Sequence, residues 1–166
     1  MKCAVLCNGP SRISFQTRDG YDFLIGCNIP WTEVDATVVL DREIVNKLAK
    51  SPELIKYKIY FSRHGWMHTD AIRKRNLFQD AFAGIIDPKY PFYSSGHGAL
   101  ETAIRRGATE VDIYGCDSWF QYDLSSHTHQ YANTSYPDKF KCIDEWRIKW
   151  NDIINAHSHI KIEFIK

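Results

Sequence analysis

Residues 92–115 read FYSSGHGALETAIRRGATEVDIYG, and this stretch decides the fold. Leu100, Ala103 and Ile104 share one helix face, and Gly107 stands where a helix C-terminus takes a left-handed residue. The apolar run Val111 to Gly115 that follows has the length of a buried strand, so a helix feeds a strand here. Working outward, Lys139 to Asn155 carries Ile143, Trp146, Trp150, Ile153 and Ile154 at helical intervals, and Ile160 to Ile165 alternates as a last strand. Upstream, residues 2–7, Tyr21 to Cys27, Ala36 to Leu40 and Tyr57 to Phe61 are short apolar runs closed by turn or polar residues. Arg42 to Lys50 places Ile44, Val45 and Leu48 at helical spacing and is ended by Ser51-Pro52. Residues 62–90 read mainly as loop, with a short helix around 69–77, and 118–138 as a long loop or lid. Short apolar strands alternating with helices predict an α/β sandwich with a mostly parallel sheet, in one domain spanning 1–166.

The composition, 44% hydrophobic and 25% charged, fits a chain that can bury a core. Lys+Arg at 21 against Asp+Glu at 20 leaves a net charge of +1, which gives no bulk field for nucleic acid or an anionic membrane, so an anionic ligand has to be held locally. The apolar run before Asn8 is too short for a signal peptide or a membrane span, and the expected address is cytoplasmic. Five cysteines, an odd number without C-x-x-C spacing, argue for reduced thiols rather than a disulfide framework or a zinc knuckle.

In parallel α/β sheets the ligand sits outside the carboxyl ends of the strands, at the topological switch point. That rule selects Asn8 to Arg12, Cys27-Asn28, Asp41 and Cys116-Asp117, each just after a predicted strand. Asn8-Gly9-Pro10-Ser11 offers a glycine and a hydroxyl where backbone N–H groups can approach a phosphate, although it is neither a dinucleotide fingerprint nor a Walker loop; a plain turn explains it equally well. Ser94-Ser95-Gly96-His97-Gly98 opens a helix with hydroxyls and backbone donors, against the simpler reading of a Ser N-cap. Of the histidine pairs, His64/His68 and His157/His159 lack a third metal ligand, and no metal site is expected. His127 and His129 lie in the lid with Tyr122 and Tyr131, where a general base or phosphate donor fits. Arg63, Arg73, Lys74 and Arg75 read as a solvated basic face.

In order along the chain, Leu6 to Ser11, Gly26-Cys27-Asn28, the strand end at Asp41, Ser94-Ser95-Gly96 opening a helix, and Val111 to Asp117 together resemble the bacterial CMP-sialic-acid-dependent sialyltransferases. They also resemble the broader 6-hydroxymethylpterin pyrophosphokinase-like (MptE-like) proteins. The resemblance runs from residue 2 to about 120 and implies a three-layer Rossmann-like sandwich with a short lid, binding a nucleotide-activated sugar without a required cofactor. It implies that Asn8, Gly9 and Ser11, with Pro10 in the same turn, line the phosphate, that Asn28 meets the ribose or sugar, and that Ser94, Ser95, Gly96 and His97 hold the nucleotide. Inverting transfer would then use a histidine base and lid hydroxyls. The family's base position, near the start of the helix after the lid, has no histidine in 136–142, which leaves His127 or His129, with Tyr122 or Tyr131 supporting the departing phosphate. The pyrophosphokinase likeness implies instead Mg²⁺ held through Asp41 and Asp117, and a third expectation is a nucleotide-binding module without catalysis, such as a viral or mobile-element accessory protein.

Overall fold

A computed structural model describes residues 1–51, 54, 60–62, 82–85, 93–120 and 143–166. Its strands are β1 (Lys2–Leu6), β2 (Phe23–Cys27), β3 (Ala36–Val39), β4 (Tyr60–Ser62), β5 (Phe82–Ile85), β6 (Glu110–Tyr114) and β7 (Lys161–Ile165). The helices are α1 (Arg42–Lys50), α2 (Ser95–Arg105), α3 (Asp117–Phe120) and α4 (Ile143–Ala156), with a 3-10 turn at Pro10–Ser14. The strands form one sheet in the order β5-β4-β3-β2-β1-β6-β7, and every neighbouring pair is parallel. This is the α/β Rossmann-like architecture, with the sheet wholly rather than mostly parallel among the described residues.

The order places β1 in the interior and turns the chain back beside it. From β1 the chain steps outward to β5, then α2 carries it across to β6 on the other flank. The switch point is therefore the gap between the ends of β1 and β6. Right-handed crossovers then put α2 and α4, which lead in one direction, on one face, and α1, which leads in the other, on the opposite face.

Packing agrees. Odd-numbered side chains of β1 and β6 (Cys3, Val5, Val111, Ile113) join Ile25, Val38, Leu100, Ala103, Trp150 and Ile153 in the larger core, under α2 and α4. The second face holds Ala4, Leu6, Leu24 and Val34, with Phe15, Tyr21 and Tyr114 packed against them. Because strand side chains alternate, one strand can feed both layers. Toward β7 that second face is polar. Lys2 pairs with Glu110 and with the buried Asp112, and Lys161 with Glu110 and Glu163, the pairs to Glu110 and Glu163 being exposed contacts worth little in stability.

The link from β2 to β3, residues 28–35, is shorter than the roughly dozen residues a helical crossover takes. Asn28 makes it feasible by adopting φ +57°, with its N–H donating to the Val38 carbonyl and its own carbonyl accepting from Thr37 Oγ1. Asp35 closes the far end, its carboxylate accepting from the Leu24 N–H and from Arg18.

Two expectations are corrected. Within the stretch read as mainly loop, Phe82–Ile85 is the edge strand β5; a four-residue run containing a glycine gives too little alternation to be recognised. The lid was expected to begin at residue 118, yet 118–120 belong to α3, whose short turn carries no apolar period. Residues 121–138 of the expected lid, the helix around 69–77 and positions 63–75 lie outside the described residues. No described helix is long and apolar enough to cross a membrane.

Candidate functional site

The edge at the carboxyl ends of β1, β2, β3 and β6 gathers most of the residues that the strand-end rule selects. At the switch point itself the two strands stay zipped beyond their regular ends. The Cys7 N–H donates to the Tyr114 carbonyl and the Gly9 N–H to the Gly115 carbonyl, each at 2.8 Å. Two glycines are needed for this approach. A methyl on Gly9 would overlap the Asp117 carboxylate, and one on Gly115, which sits at φ +68°, would lie 2.5 Å from the Cys7 carbonyl oxygen. The buried Asp117 carboxylate accepts from the Ser11 N–H at 3.0 Å and from Ser11 Oγ at 3.1 Å. An internal carboxylate thus occupies the donors that the sequence reading offers to a phosphate.

Beside this clamp, a second polar group spans β1 to β3. Asn8 Nδ2 donates to the Cys27 carbonyl at 2.7 Å. Ser95 Oγ donates to Asn28 Oδ1 at 2.9 Å and accepts from the Leu40 N–H, while Asn28 Nδ2 donates to Asp41 Oδ2 at 3.2 Å. The first turn of α2 is thereby tied to the ends of β2 and β3. Asn8, Asn28 and Ser95 are all buried, and the Asn8 amide leaves its Oδ1 without a hydrogen-bond partner. Its orientation is chemically fixed, since a flip would turn an acceptor toward the Cys27 carbonyl.

The remaining selected residues point elsewhere. Ser94 is the N-cap of α2, with its Oγ accepting from the His97 N–H and its own N–H donating to His97 Nδ1, a reciprocal capping box. His97 is fully buried, packs at a tilt against Trp150 with ring centroids 4.3 Å apart, and donates from Nε2 to the Trp146 carbonyl, which joins α2 to α4. Burial pushes its imidazole down to about 3, so the ring is neutral and both nitrogens are engaged internally. Gly96 packs under Trp150 and the Cys7 thiol. These residues hold the helix in place rather than line a cleft. Pro10 opens the 3-10 turn that carries Ser11. His127, His129, Tyr122 and Tyr131 lie outside the described residues.

The sequence reading gave no individual role to two side chains of this edge. Arg12 donates from Nη1 to the Asn8 carbonyl at 3.0 Å, and Trp31 donates from its indole nitrogen to the Cys7 carbonyl at 3.3 Å. The guanidinium lies over the Trp31 ring, 6.0 Å from its centroid, and Phe15 meets the same ring edge-on. A usable signal was present: a strand-end turn carrying an arginine, and a tryptophan following Pro30 in a link too short to bury it.

Three thiols also converge here. Cys7 Sγ lies 3.7 Å from Cys27 Sγ, and Cys116 Sγ lies 3.8 Å from Ser118 Oγ. The neighbouring Cys7 thiol, together with burial, pushes the Cys116 thiol well up, and all three pack within the larger core. The described cysteines are free, as expected for Cys3, Cys7, Cys27 and Cys116. Among the described residues no cluster of three or more His, Cys, Asp or Glu side chains is arranged to hold a metal ion.

The fold and this edge define a Rossmann-like α/β protein with a polar strand-end site. Compared with protein-family models, with curated proteins and with solved structures, the chain matches none.

Proposed function

We propose that the chain binds a nucleotide-activated sugar of the CMP type at the strand-end edge beside the β1–β6 switch point and transfers the sugar with inversion. The observation that supports this most is the convergence of Asn8, Asn28, Asp41 and Ser95, from four separate elements, on the strand-end edge where such sheets take nucleotides. In the step itself, the acceptor hydroxyl oxygen forms a bond to the anomeric carbon while the bond to the phosphate oxygen breaks, its electron pair leaving with CMP. The acceptor proton passes to His127 or His129, and Tyr122 or Tyr131 donates to the departing phosphate. No cofactor is required.

The test is turnover with CMP-linked sugars and a panel of sugar acceptors, read by CMP release and by the anomeric configuration of the product. Released CMP with inverted product supports the reading; absence of any CMP-sugar binding by calorimetry overturns it. A second reading, a nucleotide-binding module without chemistry, is favoured by the internal use of the Gly9 and Ser11 donors, and it predicts binding without turnover. The Mg²⁺-dependent pyrophosphoryl-transfer reading has less support, because Asp117 already accepts two bonds from Ser11. It requires nucleotide affinity to fall on chelation.

A further inference from the structure

This inference rests on the nucleotide reading and concerns which donor at the strand-end edge can meet a phosphate. A phosphate at neutral pH presents acceptors only, so it needs N–H or O–H groups that are not already engaged. The Gly9 N–H is bonded to the Gly115 carbonyl, and the Ser11 N–H and hydroxyl to Asp117. Pro10 has no N–H, and the Arg12 N–H closes the turn on the Gly9 carbonyl. Asn8 and Asn28 are buried and each gives an amide N–H to an internal acceptor, the Cys27 carbonyl and Asp41. Asn8 also presents Oδ1, an acceptor that repels a phosphate oxygen.

Arg12 is different. Its guanidinium has five N–H donors, and the structure shows one side-chain bond, to the Asn8 carbonyl. It joins none of the ion pairs of the described residues. The side chain is partly buried and held in place rather than splayed into solvent. Consecutive carbonyls at the end of β1 fix the arrangement: Cys7 anchors the Trp31 indole, Asn8 anchors the guanidinium, and the indole ring supports the cation from below. A braced planar cation with spare donors is suited to a bidentate oxyanion.

We propose that Arg12, braced on Trp31, is the phosphate-binding residue of this site, and that the group it takes is the phosphate ester of a nucleotide. The expected Gly9-Ser11 phosphate cradle is then a structural clamp, and recognition moves one residue along the turn.

The experiment is calorimetric titration of the full chain and of Arg12→Gln with CMP, with cytidine and with inorganic phosphate. Gln retains a donor for the Asn8 carbonyl, and thermal melting checks that the variant is folded. The expected result is that Arg12→Gln weakens CMP about tenfold or more while leaving cytidine affinity unchanged, with Arg12→Lys recovering part of the loss. Equal CMP affinity in the wild type and in Arg12→Gln overturns the proposal and leaves the nucleotide reading standing. A parallel loss of CMP and cytidine also overturns it, because that is what a purely bracing role for Arg12 produces. If phosphate binds in an Arg12-dependent way but CMP and cytidine bind no better, the anion site stands and the nucleotide reading falls. If none of the three binds, both fall.

Discussion

His97 makes the stability of this protein depend on pH in a calculable way. The ring is fully buried, receives the Ser94 N–H at Nδ1 and donates from Nε2 to the Trp146 carbonyl, so a second ring proton would have to displace the Ser94 N–H bond and would bury a charge. Burial holds the folded-state value near 3, against about 6.5 in the unfolded chain. Between those values the unfolded chain takes up a proton that the folded chain refuses. The stability attached to this group is therefore complete above about pH 6.5 and is lost as pH falls toward 3. At about 1.4 kcal/mol per unit, acidifying from pH 7 to 4.5 removes about 2–3 kcal/mol through this residue alone.

The comparison variant is His97→Gln, since a glutamine at the third helical position can still accept the N-cap N–H in a capping box. Urea unfolding at pH 7 and 4.5 reads both proteins. At pH 7 the variant should be less stable by about 1–3 kcal/mol, from lost packing against Trp150 and the lost Trp146 bond. On acidification the gap should shrink by about 2–3 kcal/mol, because other groups titrate alike in both chains. A gap independent of pH would refute the argument that burial keeps His97 neutral.

Two other substitutions probe the strand-end edge. Gly9→Ala should force the Asp117 carboxylate away from Ser11 and cost about 3 kcal/mol, seen as a lower melting temperature, whereas Ser11→Ala, which removes only the hydroxyl bond, should cost about 1 kcal/mol; equal effects would dissolve the clamp. At Asn28, Ala loses the bonds to Ser95 and Asp41 and also strains the left-handed backbone by about 1–2 kcal/mol, while Gly loses only the bonds. Denaturant midpoints should run wild type, then Gly, then Ala, and an Ala variant at least as stable as Gly would contradict the account.

Most strands were legible because their runs are apolar or alternating and end at turn residues: β1, β2, β3 and β7 lie within the runs read from the sequence, and β6 begins one residue ahead of its run, at Glu110. The helix at Ser95–Arg105 was legible from its spacing and from Gly107, which takes φ +90° as a C-terminal glycine should. β5 was not, since a four-residue edge strand offers too short a pattern. Strand ends also located Asn8, Asn28, Asp41 and Asp117 without any motif. What the chain could not declare was partnership. Nothing local reveals that Ser11 would be satisfied by Asp117 from a distant strand end, or that His97 would turn inward to Trp146. Three cysteines spread across Cys7, Cys27 and Cys116 likewise meet only because β2, β1 and β6 are neighbours.

The zipper between Gly9 and Gly115 makes the two sides of the strand-end edge unlike. One bank, β1 against β6, is stitched by main-chain bonds and a buried carboxylate, and moving it would break several of them together. The other bank, residues 28–35, is a helix-free span held at its two ends and, between them, by the Trp31 indole on the Cys7 carbonyl. The banks are thus fastened differently, one by main-chain bonds across the sheet and the other by side chains. Trp31, partly exposed on the second bank, can be exchanged without breaking a strand-to-strand bond.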